Sequence, residues 1–171
     1  MILFTTFVAI VQSFSISLGV GSSTLAILNF FVAIADGRID ETERRMMGIV
    51  YVVLRIAMVL ILLSSIALMI INHLDSGIDL TPFILGQLLA LSILFINAIL
   101  MTLHLMPSTF GPAIQAGSWY TLGTLTALLP LGLTNFTFTE FLLGYITWLV
   151  LAVSIVNGTM AILKHQKQQQ H

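Results

Sequence analysis

Residues 46–72 read MMGIVYVVLRIAMVLILLSSIALMIIN and carry a single charged side chain, Arg55. About 20 apolar residues suffice to cross a hydrocarbon core roughly 30 Å thick. Lipid offers the backbone no hydrogen-bond partner, so such a stretch must satisfy its own amides as a helix. The same reading extends to both sides, and the sequence predicts spans over 2–35, 43–73, 82–106, 111–133 and 138–163. The expected fold is therefore all-α: one polytopic transmembrane bundle with five spanning helices over 1–163, and a polar cytoplasmic tail over 164–171. Composition points the same way. The 171 residues are 58% hydrophobic and 8% charged, with mean hydropathy +1.06, far from the roughly 25% charge of a soluble domain.

Local signals mark several helix ends. Asp40 with Glu43, and Thr137 with Glu140, have capping-box spacing, in which one side chain accepts a first-turn amide and the glutamate reaches back. Thr81-Pro82 is a third start, because proline at the first helical position lacks only an amide that would be unbonded there. Pro107 marks the exit of the third helix, and Pro130 predicts a kink in the fourth. The first helix, about 50 Å long, exceeds the hydrocarbon thickness, so tilt, a bend near Gly19 and Gly21, or projection from the membrane is expected.

Threading five spans groups Arg38, Arg44, Arg45, Lys164 and Lys167 on one side and leaves no Lys or Arg in the loops of the other. The positive-inside rule then gives a cell-membrane protein with its N-terminus outside and its C-terminus in the cytoplasm. Six dispersed basic residues and a net charge of −1 give no nucleic-acid footprint. With no cysteine, disulfides and thiolate chemistry are excluded. No HExxH, serine–histidine constellation or intramembrane acidic pair points to an enzyme.

Small and polar residues recur at helical spacing. Ser15, Gly19 and Ser23 form a packing stripe on the first helix, where small side chains let backbones approach. Counted inward from the cytoplasmic side, Asn29, Arg55, Asn97 and Asn157 fall at a similar depth, with His104 nearer the mouth. An intramembrane arginine is costly. The sequence thus offers two readings of Arg55: anchor of an interior polar site able to take a small anionic ligand, or a side chain snorkelling to anionic lipid. Asp75, Asp79 and Glu140 gather near outer helix ends as caps or as a cation-attracting mouth.

Haem is the cofactor to consider in a small helical bundle, since two histidines can supply its axial ligands. Here His73 and His104 fall at opposite ends of successive helices, leaving His–Met ligation as the alternative. The loop from Asp36 to Glu43 has the Gly, Ile and final Glu of an EF-hand but Val32 and Ile34 where early oxygen ligands belong, which favours a turn and a capped helix over calcium.

The run Ser17-Leu18-Gly19-Val20-Gly21-Ser22-Ser23-Thr24, with Asp36-Gly37-Arg38-Ile39 and Glu43, resembles a loosely defined group of small prokaryotic multi-helix membrane proteins over residues 17–75. That resemblance implies a membrane-redox association for some members, although Gln12 stands where a first-helix histidine would be. The expected function is a small transporter, channel or membrane-complex subunit in the lipid bilayer, alone or as a homo-oligomer. A haem-binding redox subunit is the alternative.

Overall fold

The computed structural model describes residues 2–36, 40–76, 80–107 and 110–169. It is an all-α bundle of five helices: α1 Ile2–Asp36, α2 Glu41–Ser76, α3 Pro82–Thr102, α4 Gly111–Leu128 and α5 Phe138–Gln169. Residues 37–39 of the EF-hand-like loop, and Asp79, lie outside the described residues.

Both capping boxes form. Glu43 N–H donates to Asp40 Oδ1 at 2.6 Å and Asp40 N–H to Glu43 Oε2 at 3.1 Å. Thr137 N–H and Oγ1 donate to Glu140 Oε2 at 2.7 and 2.9 Å, while Glu140 N–H donates to Thr137 Oγ1 at 3.2 Å. Thr81 Oγ1 accepts from Ile84 N–H ahead of Pro82. The fourth helix differs from expectation, stopping at Leu128 rather than running to 133. Pro130 therefore sits in the terminating turn instead of kinking a helix, and Gly132 adopts φ +67°, a left-handed conformation that glycine takes without a Cβ penalty. The fifth helix runs on to Gln169, through most of the polar stretch over 164–171.

The contacts fix the directions. Gln12 reaches Ser65 and Ile16 packs with Ile61, so α1 and α2 are antiparallel, and theirs is the most extensive pairing. Asn97 bonds Gly111 and Gln115; Ala113 packs with Val156 and with Ile27, whereas Gly123 faces Ile16. Thus α4 runs antiparallel to α1, α3 and α5. The starts of α1, α3 and α5 share one end of the bundle, called here the open end. Arg44, Arg45 and the last turns of α5 share the other, the basic end.

Four helices are long and apolar enough to cross a membrane: α1, α2, α3 and α5. The expectation of five spanning helices is corrected to four, because α4 does not qualify. Its 18 residues include Gln115, Ser118, Thr121, Thr124, Thr126 and three glycines, which hold its hydropathy down. Gln115 and Ser118 are enclosed by protein, and the three threonine hydroxyls donate to carbonyls of their own helix; nine residues of α4 are buried, Trp119 and Ala113 completely. Multiple long apolar helices with outward apolar faces are consistent with a multi-pass membrane protein.

Ser15, Gly19 and Ser23 are buried on α1. Ser15 Oγ donates to Val11 O at 2.6 Å, Ser22 Oγ to Leu18 O, and Ser23 Oγ to Val20 O at 3.1 Å. Each hydroxyl is satisfied within its own helix and acts sterically as a small group. Gly19 is packed directly under the Trp119 indole, leaving no room for a Cβ.

Candidate functional site

The five polar residues marked out in the sequence differ in burial. Asn97 is buried, Asn29 and Asn157 are half-buried, and Arg55 and His104 are exposed. No hydrogen bond joins any two of them among the described residues. On α2, Leu54, Ala57 and Ile61 turn inward, so the intervening Arg55 projects outward near exposed Tyr51 and Val52. His104 lies just past the end of α3, at φ 57°. His73 belongs to the open end and His104 to the basic end, so one cofactor cannot take both as ligands. Among the described residues, no three His, Cys, Asp or Glu side chains cluster as a metal site.

The polar interior is built instead around α4. Asn97 Nδ2 donates to Gly111 O at 2.9 Å and to Gln115 Oε1 at 3.0 Å, and lies 3.5 Å from Met101 Sδ. Gln115 Nε2 reaches Met58 Sδ at 3.6 Å, tying in α2. One helical step further, Ser118 Oγ and Tyr145 Oη are 2.8 Å apart, and Trp148 Nε1 donates to Gly117 O at 3.0 Å. Asn97 Oδ1 and Trp119 Nε1 are buried without a protein partner among the described residues. Close approach is what permits this network: Gly111 and Gly117 would place a Cβ 2.8 Å from Met101 Cγ and 2.9 Å from Leu149 Cδ2. The sequence reading passed over Gln115 and Tyr145, although Gln115 sits among Ala113, Ala116 and Gly117, a run of small residues that itself signals a tightly enclosed helix.

Two cavities lie toward the open end. The first, about 350 Å³, is a cleft between α2 and α3 backed by Gln12 and Ile16 of α1 and Leu122 of α4. Its walls are mostly aliphatic, from Ile61, Ile66, Met69, Ile84, Leu88 and Leu91. Set into them are five hydrogen-bonding side chains: Gln12, Ser65, Asn72, His73 and Gln87. Gln12 Nε2 donates to Ser65 Oγ at 3.2 Å. Asn72 and His73 lie about two turns from Ser65 along α2, roughly 10 Å, so polar groups mark both the mouth and the depth of the cleft. An apolar cavity with a few placed polar groups is the usual form of a small-molecule site.

The second cavity, about 510 Å³, opens between α4 and α5. Tyr120, Phe136, Phe141, Tyr145 and Trp148 line it together with Glu140. Phe136, Phe141 and Tyr145 form a stacked series with centroids 6.1 and 5.7 Å apart, and Tyr120 meets Trp148 edge to face at 6.2 Å. Comparison with protein-family models, curated proteins and solved structures returned no match to this chain.

Proposed function

We propose that this chain is a small-molecule-binding membrane protein of the transport class, taking an amphiphile laterally from the bilayer into the cleft between α2 and α3. The observation that carries this reading is the cleft itself, whose aliphatic walls hold Gln12 and Ser65 at depth and Asn72 and His73 at the mouth. Such a lining suits an apolar body bearing hydrogen-bonding groups. A channel through one protomer is the weaker alternative, because Trp119, Ile61 and Leu94 fill the middle of the bundle at under 2% exposure.

Two further features support a bilayer setting. Exposed Arg44 and Arg45, with Lys164 and Lys167 in the last turns of α5, lie at one end, while no Lys or Arg of the sequence falls at the other. The basic end then faces the cytoplasm by the positive-inside rule, placing the N-terminus outside. This follows from the grouping of helix ends and not from a count of spans. Arg55, outward on α2, is the natural contact for a lipid phosphate.

The test is native mass spectrometry of the full chain released from detergent micelles, comparing wild type with Leu88→Trp, which fills the cleft. A co-purifying amphiphile lost from the variant is the expected result. Equal ligand occupancy in both proteins would sink the reading.

A further inference from the structure

The aromatic cavity between α4 and α5 has a chemistry of its own, independent of the α2/α3 cleft. Its polar handles are already used elsewhere. Tyr145 Oη is paired with Ser118 Oγ at 2.8 Å, Tyr120 Oη with Thr24 Oγ1 at 2.7 Å, and Trp148 Nε1 with Gly117 O at 3.0 Å. The two threonines in the wall, Thr121 and Thr124, donate their hydroxyl hydrogens to Gly117 O and Tyr120 O, both at 2.9 Å. A ligand entering here therefore meets aromatic surface and few available donors. The formally charged group in the lining is the Glu140 carboxylate. Its Oε2 accepts from Thr137, Oε1 takes no part in those bonds, and an exposed carboxylate is anionic at neutral pH.

Ring faces carry negative quadrupolar potential and attract cations, most favourably where the cation is poorly hydrated. A lining of π surface with one carboxylate disfavours anions and cannot reward a ligand that must accept hydrogen bonds. We infer that the cavity bounded by Tyr120, Phe141, Tyr145, Trp148 and Glu140 is a binding site for a quaternary ammonium group. Such a group carries charge without hydrogen-bond donors, inside an apolar shell that matches the rings. It arrives either on a free lipophilic cation or as the choline headgroup of a phospholipid.

Benzyltrimethylammonium is the probe, titrated into the full chain in maltoside micelles and followed by tryptophan fluorescence. The chain has two tryptophans, and Trp148, not enclosed Trp119, lines this cavity. Saturable quenching is expected, weakened about tenfold in Glu140→Gln. Glutamine also serves in a capping box, so this variant removes the charge while keeping the α5 start. Ser92→Ala, on the exposed face of α3, should bind as wild type does, and Leu88→Trp should as well, which separates this site from the cleft. Competition by added phosphatidylcholine identifies the headgroup as the source; no competition identifies a free cation; either supports the assignment. Equal affinity for the uncharged isostere neopentylbenzene, or unchanged affinity in a folded Glu140→Gln protein, overturns it.

Discussion

The helices α4 and α5 run side by side in opposite directions and invert the usual relation between hydropathy and burial. The more polar α4 is enclosed, with nine of its 18 residues buried. The apolar span of α5, Phe138–Leu163, has only Tyr145, Val156 and Met160 buried among its described side chains. In water this would be a misfolded arrangement. In hydrocarbon an apolar side chain gains little by leaving lipid for protein, whereas small and polar groups gain close packing and hydrogen bonds inside. Hydropathy therefore marks the helices that face lipid, and the packing centre is the helix that fails the hydropathy test.

The strongest way to break that contrast is to add bulk at a glycine packed on α4 and at glycines of α5. Gly19→Leu drives a side chain into the Trp119 indole of α4, where the backbone contact leaves no space. A loss of about 3 kcal/mol is expected, seen as a collapse of the melting midpoint in micelles by circular dichroism. Gly144→Leu and Gly158→Leu on α5 have nothing within 4 Å of the added Cβ and should melt as wild type does. Similar losses at all three positions would show that α5 is covered as α4 is.

Next in size is the Asn97–Gln115 pair. Asn97→Ala removes the donor that satisfies Gln115 Oε1 and leaves a buried acceptor unpaired, a loss of about 1 to 2 kcal/mol. Replacing both residues by leucine removes the polar groups together and should recover much of that loss. A double-mutant cycle in micelles measures the coupling. Additive losses would mean that the two amides do not depend on one another.

A smaller effect is expected at the helix starts. Thr137→Ala removes both the acceptor of Glu140 N–H and one donor to Glu140 Oε2, so the melting midpoint should fall by less than in Asn97→Ala. The corresponding position before α4, Phe110, makes no side-chain cap bond and has helical φ −103° and ψ −45°. A capping residue needs an extended backbone to reach its amide. Phe110→Ser should therefore bring no gain, and a gain would show that α4 can re-cap by moving its first turn.

Much of the helix plan was legible in local chemistry. The starts at Glu41, Pro82 and Phe138 carry their own signals, in the Asp40–Glu43 and Thr137–Glu140 boxes or in a proline at the first turn, because caps depend on residues three apart. The number of spans was not legible in the same way. Length and a lack of charge made 111–133 resemble a span, yet Gln115 and the glycine-threonine spacing of α4 record enclosure by protein. The site was less legible still. Depth along a helix can be counted from sequence, but azimuth needs the partners, and this is why Arg55 was grouped with Asn97 although they face opposite ways. The aromatic cavity was invisible for a related reason: Tyr120 on α4 and Phe141, Tyr145 and Trp148 on α5 become neighbours only when the two helices pair.

The finest test of the contrast concerns one hydroxyl on each helix. Ser118 Oγ on α4 lies 2.9 Å from Ile114 O and 2.8 Å from Tyr145 Oη, so it serves its own helix and holds α5. Ser154 Oγ on α5 donates to Val150 O, at 2.7 Å, on an exposed face. Interhelical hydrogen bonds in membranes average about 0.6 kcal/mol, so Ser118→Ala should lower the melting midpoint slightly and Ser154→Ala should not. Tyr145→Phe in the Ser118→Ala background separates the bond from the cavity that replaces it. If the hydroxyl pair is the cause, the second substitution adds nothing. A further full loss would instead assign Tyr145 Oη a partner other than Ser118 and loosen the α4–α5 seam from the polar interior.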